Sequence, residues 1–209
     1  MKIFISSLFL LILVESHSQL NAQTHQTHYP NGNLRSSGTL VDGQQHGQWQ
    51  YFYPNGSLNV DTQYKKGKQY GVCQTYCPDG GIMSVENYEY DYLVDSAKYY
   101  YCSGQLKRVG VYKRGLYEGP WLSYHENGEI KYKGSYYLGE PHGEWFTYNE
   151  SGMLVEEGSY KEGEYDGLWK FYNNDGQLTF EGNYAFGKEV GEWYQYSKKG
   201  KKKLYKKYD

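Results

Sequence analysis

The sequence predicts an all-β protein, an elongated single-layer antiparallel meander of about seven 24-residue β-hairpin repeats. Three observations predict it. Glycine recurs at one fixed interval of 24 residues, at Gly32, Gly56, Gly80, Gly104, Gly128, Gly152, Gly176 and Gly200. Turn-forming residues surround those glycines, as in Pro30-Asn31-Gly32, Pro54-Asn55-Gly56 and Pro78-Asp79-Gly80. The composition supplies 27 Tyr and 26 Gly in 209 residues, with few aliphatic residues beyond the first 14. That is too little aliphatic content for an ordinary globular core, whereas tyrosine can line a sheet that keeps its hydroxyls wet. A unit this short cannot bury a core alone, so its copies must stack.

The chain opens with Lys2 and an apolar run from Ile3 to Val14, followed by small and polar residues. This is the layout of a secretory signal peptide, expected over residues 1–22. The run is too short to span a bilayer comfortably. Ser16 and Ser18 satisfy the small-residue rule for cleavage after Ser18, and cleavage after Ala22 fits equally. The expectation is an exported chain, periplasmic or extracellular, with a short linker over 23–28 before the repeats.

The repeat domain is expected over residues 29–200. Two residues after each first glycine comes Leu34, Leu58, Ile82, Leu106, Ile130, Leu154 or Leu178. Eight after it stands Tyr64, Tyr88, Tyr112, Tyr136, Tyr160 or Tyr184, with Leu40 in the first copy. A tryptophan column follows at Trp49, Trp121, Trp145, Trp169 and Trp193, broken by Cys73 and Ala97. Three residues later an aromatic always appears, among them Phe52, Tyr124, Tyr148, Tyr172 and Tyr196. Proline sets a negative φ at the first central turn position, which suits a type I turn and rules out type I′ there. Glycine then takes the left-handed position of a G1 bulge, giving a three-residue hairpin loop. The second connection is placed between glycines four apart, such as Gly43 and Gly47, where only a tight reversal fits. About 14 strands result, over roughly 65 Å. A β-solenoid is the rival architecture at this period, and the hairpin chemistry argues against it. In the third repeat Glu86, Asp91 and Asp95 replace the internal glycines and Ala97 the tryptophan, so a kink or a distinct surface is expected there.

Residues 201–209 form a Lys-rich C-terminal tail. Residues 198–209 carry a net charge of +6 in a chain whose total is −2. Lysine at the end of a meander discourages edge-to-edge aggregation, and it can also contact anionic headgroups or glycans. Three cysteines are present. Cys73 and Cys77 lie roughly 13 Å apart on one extended strand, too far for a bridge. Cys77 and Cys102 fall in successive hairpin turns at a marginal separation of roughly 9–10 Å, so a bridge between them stays open.

The pattern Asn-Gly-x-Leu-x-x-x-Gly-x-Tyr-x-x-Gly-x-x-x-Gly-x-Trp-x-x-Tyr resembles the variant MORN repeat of bacterial proteins, many of them labelled YwqK-type antitoxins of toxin–antitoxin systems. Residues 127–148 and 151–172 carry the resemblance most closely, and it extends over about 29–200. It implies an elongated sheet that binds or scaffolds a protein partner, another copy of itself included, without catalytic residues to carry over; no cofactor is expected. A fainter resemblance to choline-binding repeats implies aromatic cages for quaternary ammonium groups. Trp49, Trp121, Trp145, Trp169 and Trp193, with Tyr124, Tyr148, Tyr172 and Tyr196, are the candidate interaction surface, and envelope lipid or glycan is the alternative ligand class. Export argues against nucleic acid as a partner. His46 and His142, with Glu140, Glu144 and Asp166 nearby, lack a matching nucleophile motif, and no metal-ligating set is read from the sequence.

Overall fold

The computed structural model describes residues 21–209. The expected leader therefore lies outside the described residues apart from its last two positions. Sixteen strands form one sheet in strict sequence order. They are β1 (Ala22–His28), β2 (Leu34–Val41), β3 (Gln44–Phe52), β4 (Leu58–Lys65), β5 (Lys68–Tyr76), β6 (Ile82–Glu89), β7 (Tyr92–Tyr100) and β8 (Leu106–Lys113), then β9 (Leu116–Tyr124), β10 (Ile130–Tyr137), β11 (Glu140–Tyr148), β12 (Leu154–Lys161), β13 (Glu164–Tyr172), β14 (Leu178–Ala185), β15 (Lys188–Tyr196) and β16 (Lys202–Tyr208). Every neighbouring pair is antiparallel, as in β1–β2 and β15–β16. This excludes a solenoid, whose successive strands would run parallel.

Two strands exceed the expectation, one at each end. The segment read as a linker is β1, and most of the segment read as a tail is β16. Each is half a repeat. His25 occupies the tryptophan position beside Trp49, with ring centroids 5.9 Å apart. Tyr208 closes the tyrosine column beside Trp193, at 6.3 Å. Composition hides both strands, since neither AQTHQTH nor KKLYKKY alternates apolar with polar. Backbone pairing with a formed neighbour needs no such alternation at an exposed edge.

The first turn forms as its residues require. Gly32 N donates to Tyr29 O at 2.9 Å and Tyr29 N to Asn33 O at 2.8 Å, with Gly32 at φ 86°. These are a type I turn and its G1 bulge. The second connection differs from the expected placement. The chain reverses at Asp42-Gly43, where both residues have positive φ, 50° and 76°, as a two-residue type I′ turn requires. The turn thus precedes the interval between glycines. Gly47 sits inside β3, where Ser37 pairs with Gln50 but Thr39 already pairs with His46. Two extra residues of β3 bulge opposite Gly38. The third repeat keeps this register, with Val85 on Lys98 and Asn87 on Val94, so its substitutions do not break the sheet.

One face of the sheet holds the core. Trp49, Trp121, Trp145, Trp169 and Trp193 are buried there, with Cys73 and Ala97 in the same column. Each indole lies flat over the glycine eleven residues before it, and a Cβ added at Gly38, Gly110, Gly134, Gly158 or Gly182 would overlap the ring. The Nε1 of Trp49, Trp121, Trp169 and Trp193 donates to the next residue's carbonyl, as Trp121 does to Val111 O at 3.1 Å and Trp169 to Ser159 O at 3.0 Å. Tyrosines fill the spaces edge-on. From Tyr112 to Tyr208 the rings form a continuous ladder, including Tyr136–Trp145 at 5.4 Å and Tyr160–Trp169 at 5.2 Å. Such pairs contribute about 0.5–1.5 kcal/mol each beyond their burial, which is how one layer holds together without a second.

Candidate interaction surface

Side chains three residues apart on a strand point to opposite faces. The nine sequence-nominated aromatics are therefore not one surface. The five tryptophans are buried on the core face and offer little area to a partner. Tyr124, Tyr148, Tyr172 and Tyr196 are half-buried on the other face, the open one in the sense that it carries no tryptophan column.

That open face is a row of alternating charges and rings. Glu157 accepts from Tyr172 Oη at 2.6 Å and from Lys170 Nζ at 3.1 Å. Glu181 accepts from Tyr196 Oη and Lys202 Nζ, both at 2.7 Å. The Tyr172 hydroxyl and Lys170 hold the Glu157 carboxyl below the usual carboxylate range. Lys202, then Tyr196, does the same for Glu181 against the opposing effect of burial. Lys133 Nζ sits 4.5 Å from the centre of the Phe146 ring. Asp61 binds Gln48 and Gln50 at the other end of the row, at 2.9 and 3.2 Å. A cleft of about 590 Å³ opens between Leu122, Lys133, Phe146, His142 and Glu144, where the strand bulges.

The two repeats without tryptophan are built differently. Thr62 stands where glycine would, buried, and its hydroxyl accepts from Gln69 Nε2 at 3.0 Å. Cys73 faces it, and burial pushes its thiol pKa up. In the third repeat Glu86 fills the glycine position and Ala97 leaves room for it. Tyr99 Oη donates to Glu86 Oε1 at 2.6 Å and also lies 3.1 Å from Tyr112 Oη. The Arg108 guanidinium stacks on Tyr99 at 4.0 Å and donates to Tyr117 Oη at 3.0 Å. Burial, then the bond with Tyr117, pushes Tyr112 up to about 12. A polar network satisfied at every member replaces the indole here.

The two long edges of the sheet are rows of turns. Along the G1 edge successive loops bond to one another: Tyr29 Oη to Phe52 O, Tyr53 Oη to Tyr76 O, Tyr101 Oη to Tyr124 O, and the His125 ring to Tyr148 O, whereas Asn173 bonds within its own loop. Cys77 has the same repeat position, and it is bridged to Cys102 with Cα atoms 5.8 Å apart. These loop-to-loop bonds draw the turns closer than flat strand spacing allows, which closes the separation that looked marginal. Cys73 remains free and buried. Among the described residues no three His, Cys, Asp or Glu side chains gather as a metal's ligands would. His46, His142 and the nearby carboxylates lie along the type I′ ends of their strands.

The family comparison agrees with this geometry. Residues 45–66, 117–136, 141–162 and 165–185 match the MORN repeat variant. No curated protein matches. Among solved structures the chain is similar to TcdB2-TccC3, at 14% identity and a TM-score of 0.19, over 84% of this chain and 13% of that one. It is similar also to TcdB2-TccC3-Cdc42, at 12% identity and a TM-score of 0.20, over the same shares. The four matched stretches are similar to the MORN repeat variant, and they correspond to hairpins of the same 24-residue period as the rest of the sheet.

Proposed function

We propose that this chain is an exported, non-catalytic interaction module of the cell envelope, which presents the open face of its sheet to a protein partner. The observation that carries this reading is the division of labour between faces. The core face spends its aromatics on its own stability, while the opposite face repeats charged and tyrosine side chains at regular spacing. Repeat sheets of this kind use extended surfaces for binding. The pairing of Cys77 with Cys102 supports export, because such bridges persist in oxidising compartments. The apolar run over residues 3–14 supports it independently. An immunity-like role, binding a toxin outside the cytoplasm, is the form this takes if the resemblance to antitoxins extends to function.

The test is capture of envelope proteins by the chain and by versions shortened one repeat at a time from the C-terminus. Capture that weakens in steps supports the reading. Undiminished capture after removal of the last three repeats would sink it. The basic strand β16 carries a second reading, contact with anionic lipid or glycan. Vesicles with and without anionic lipid separate the two, because a protein partner is held regardless of lipid charge.

A further inference from the structure

The type I′ edge has a feature that neither stability nor the reading above requires. Its turn tips are Asp42, Lys66, Tyr90, Arg114, Leu138, Glu162 and Phe186, all in the left-handed conformation at φ 50–53°. Bulky side chains rarely adopt it. Tyr90, Leu138 and Phe186 are nonetheless 53%, 61% and 76% exposed, so packing within the chain compensates them little beyond the Tyr90 ring lying 6.0 Å from that of Tyr70. Around the central tips Tyr70, Tyr92, Leu116 and Tyr137 are exposed as well. Leu116 leans on the Leu138-Gly139 turn and Tyr92 on the Arg114-Gly115 turn, so the patch is continuous. It amounts to on the order of 600 Å² of apolar surface. That is at the upper end for a monomer and close to the ~800 Å² that each partner contributes to a stable pair.

We propose that this edge is where two copies of the chain pair, antiparallel, about a two-fold axis at Arg114. The order of the tips selects the occupant. A two-fold axis at Arg114 sets Tyr90 of one copy against Leu138 of the other, and Lys66 against Glu162. Both charged tips are exposed. Each lies about 19 Å from the axis, at two strands per tip. A parallel pairing would instead set Lys66 on Lys66 and Glu162 on Glu162, which like-charge repulsion disfavours. Lys68 is already paired to Asp91 at 2.6 Å within its own copy. Arg114 meets its own counterpart on the axis, flanked by tyrosine rings that attract a guanidinium, and the outermost tips, Asp42 and Phe186, face each other without complementarity.

Sedimentation velocity of the purified chain between about 1 and about 100 µM tests this across the usual range for weak to moderate pairs. The expected result is a dimer. Tyr90→Glu with Leu138→Glu is expected to give a monomer with an unchanged far-ultraviolet circular dichroism spectrum, since both side chains are exposed. Lys66→Glu alone and Glu162→Lys alone are each expected to weaken the dimer about tenfold or more. The chain carrying both changes is expected to recover the original affinity. Arg114→Leu is expected to tighten it. A monomer at about 100 µM, a dimer indifferent to the tip changes, or a double reversal that does not recover would overturn the proposal. None of these readouts depends on an envelope partner, so this inference and the proposed function fail separately.

Discussion

Replacing Gly158 by alanine sets two physical effects against each other. The residue lies in β12 and its φ is not in the left-handed region, so alanine fits the backbone. On chain entropy alone the change stabilises by about 0.4–1 kcal/mol. Packing says the reverse. A Cβ at Gly158 overlaps Cδ2 and Cε2 of Trp169, whose indole is 0% exposed and anchored by its bond to Ser159 O. The ring must tilt or leave. Overpacking costs about 1–3 kcal/mol and loss of a buried tryptophan about 3–5 kcal/mol. The net expectation is a destabilisation of about 2–4 kcal/mol. Urea titration followed by far-ultraviolet circular dichroism reads the loss, and tryptophan emission reads the displaced ring. Trp169→Cys removes the ring and copies Cys73 of the second repeat. With both changes present the clash is gone, so the pair is expected to cost about 1–3 kcal/mol less than the sum of the singles. Stabilisation by Gly158→Ala, or strict additivity of the two, would refute the idea that glycine is there for the indole.

Three further outcomes are expected. Removing the Cys77–Cys102 bridge by Cys102→Ser should cost about 3–4 kcal/mol for a loop of this length, seen as a lower thermal midpoint, and thiol labelling of the unreduced chain should find one thiol, Cys73, only after unfolding. The core tyrosines have pKa values raised chiefly by burial, Tyr136 to about 12. A group whose folded pKa is raised contributes stability that is fully present below its unfolded value, near 10, and lost as pH rises through the folded value. Alkaline titration followed at the phenolate absorbance should therefore show these tyrosines ionising together with unfolding. Glu157 and Glu181 are lowered, so their contribution is present above the unfolded carboxylate value, about 4.3, and lost as pH falls through the folded one. Amide-exchange protection, relative to the intrinsic rate at each pH, should fall in β12 to β16 below about pH 4, while that in β2 and β3 changes less.

Much of the fold was legible in the chain. The glycine period set the repeat, and Pro-Asn-Gly set the first hairpin, because proline and glycine restrict φ wherever they stand. The second turn was misplaced by a few residues. Asp42 and Lys66 can enter the left-handed region, but neither residue type demands it as glycine does, so the sequence pointed at the wrong interval. The candidate surface was less legible. Trp145 and Tyr148 look like neighbours in sequence, yet an odd spacing on a strand sends them to opposite faces. One further signal is present in the chain. The glycine eleven residues before each tryptophan is missing only where the tryptophan is missing, at Thr62 with Cys73 and Glu86 with Ala97.

The sequence by itself determined the repeat length, the antiparallel meander and one of its two turns, since these follow from local backbone chemistry that recurs unchanged in each copy. Only the tertiary structure decided which face is core, that the two end segments become strands, that Cys77 reaches Cys102, and which turn tips line up along one edge. Those depend on distances between residues about 24 apart, and such distances exist only once neighbouring repeats have stacked.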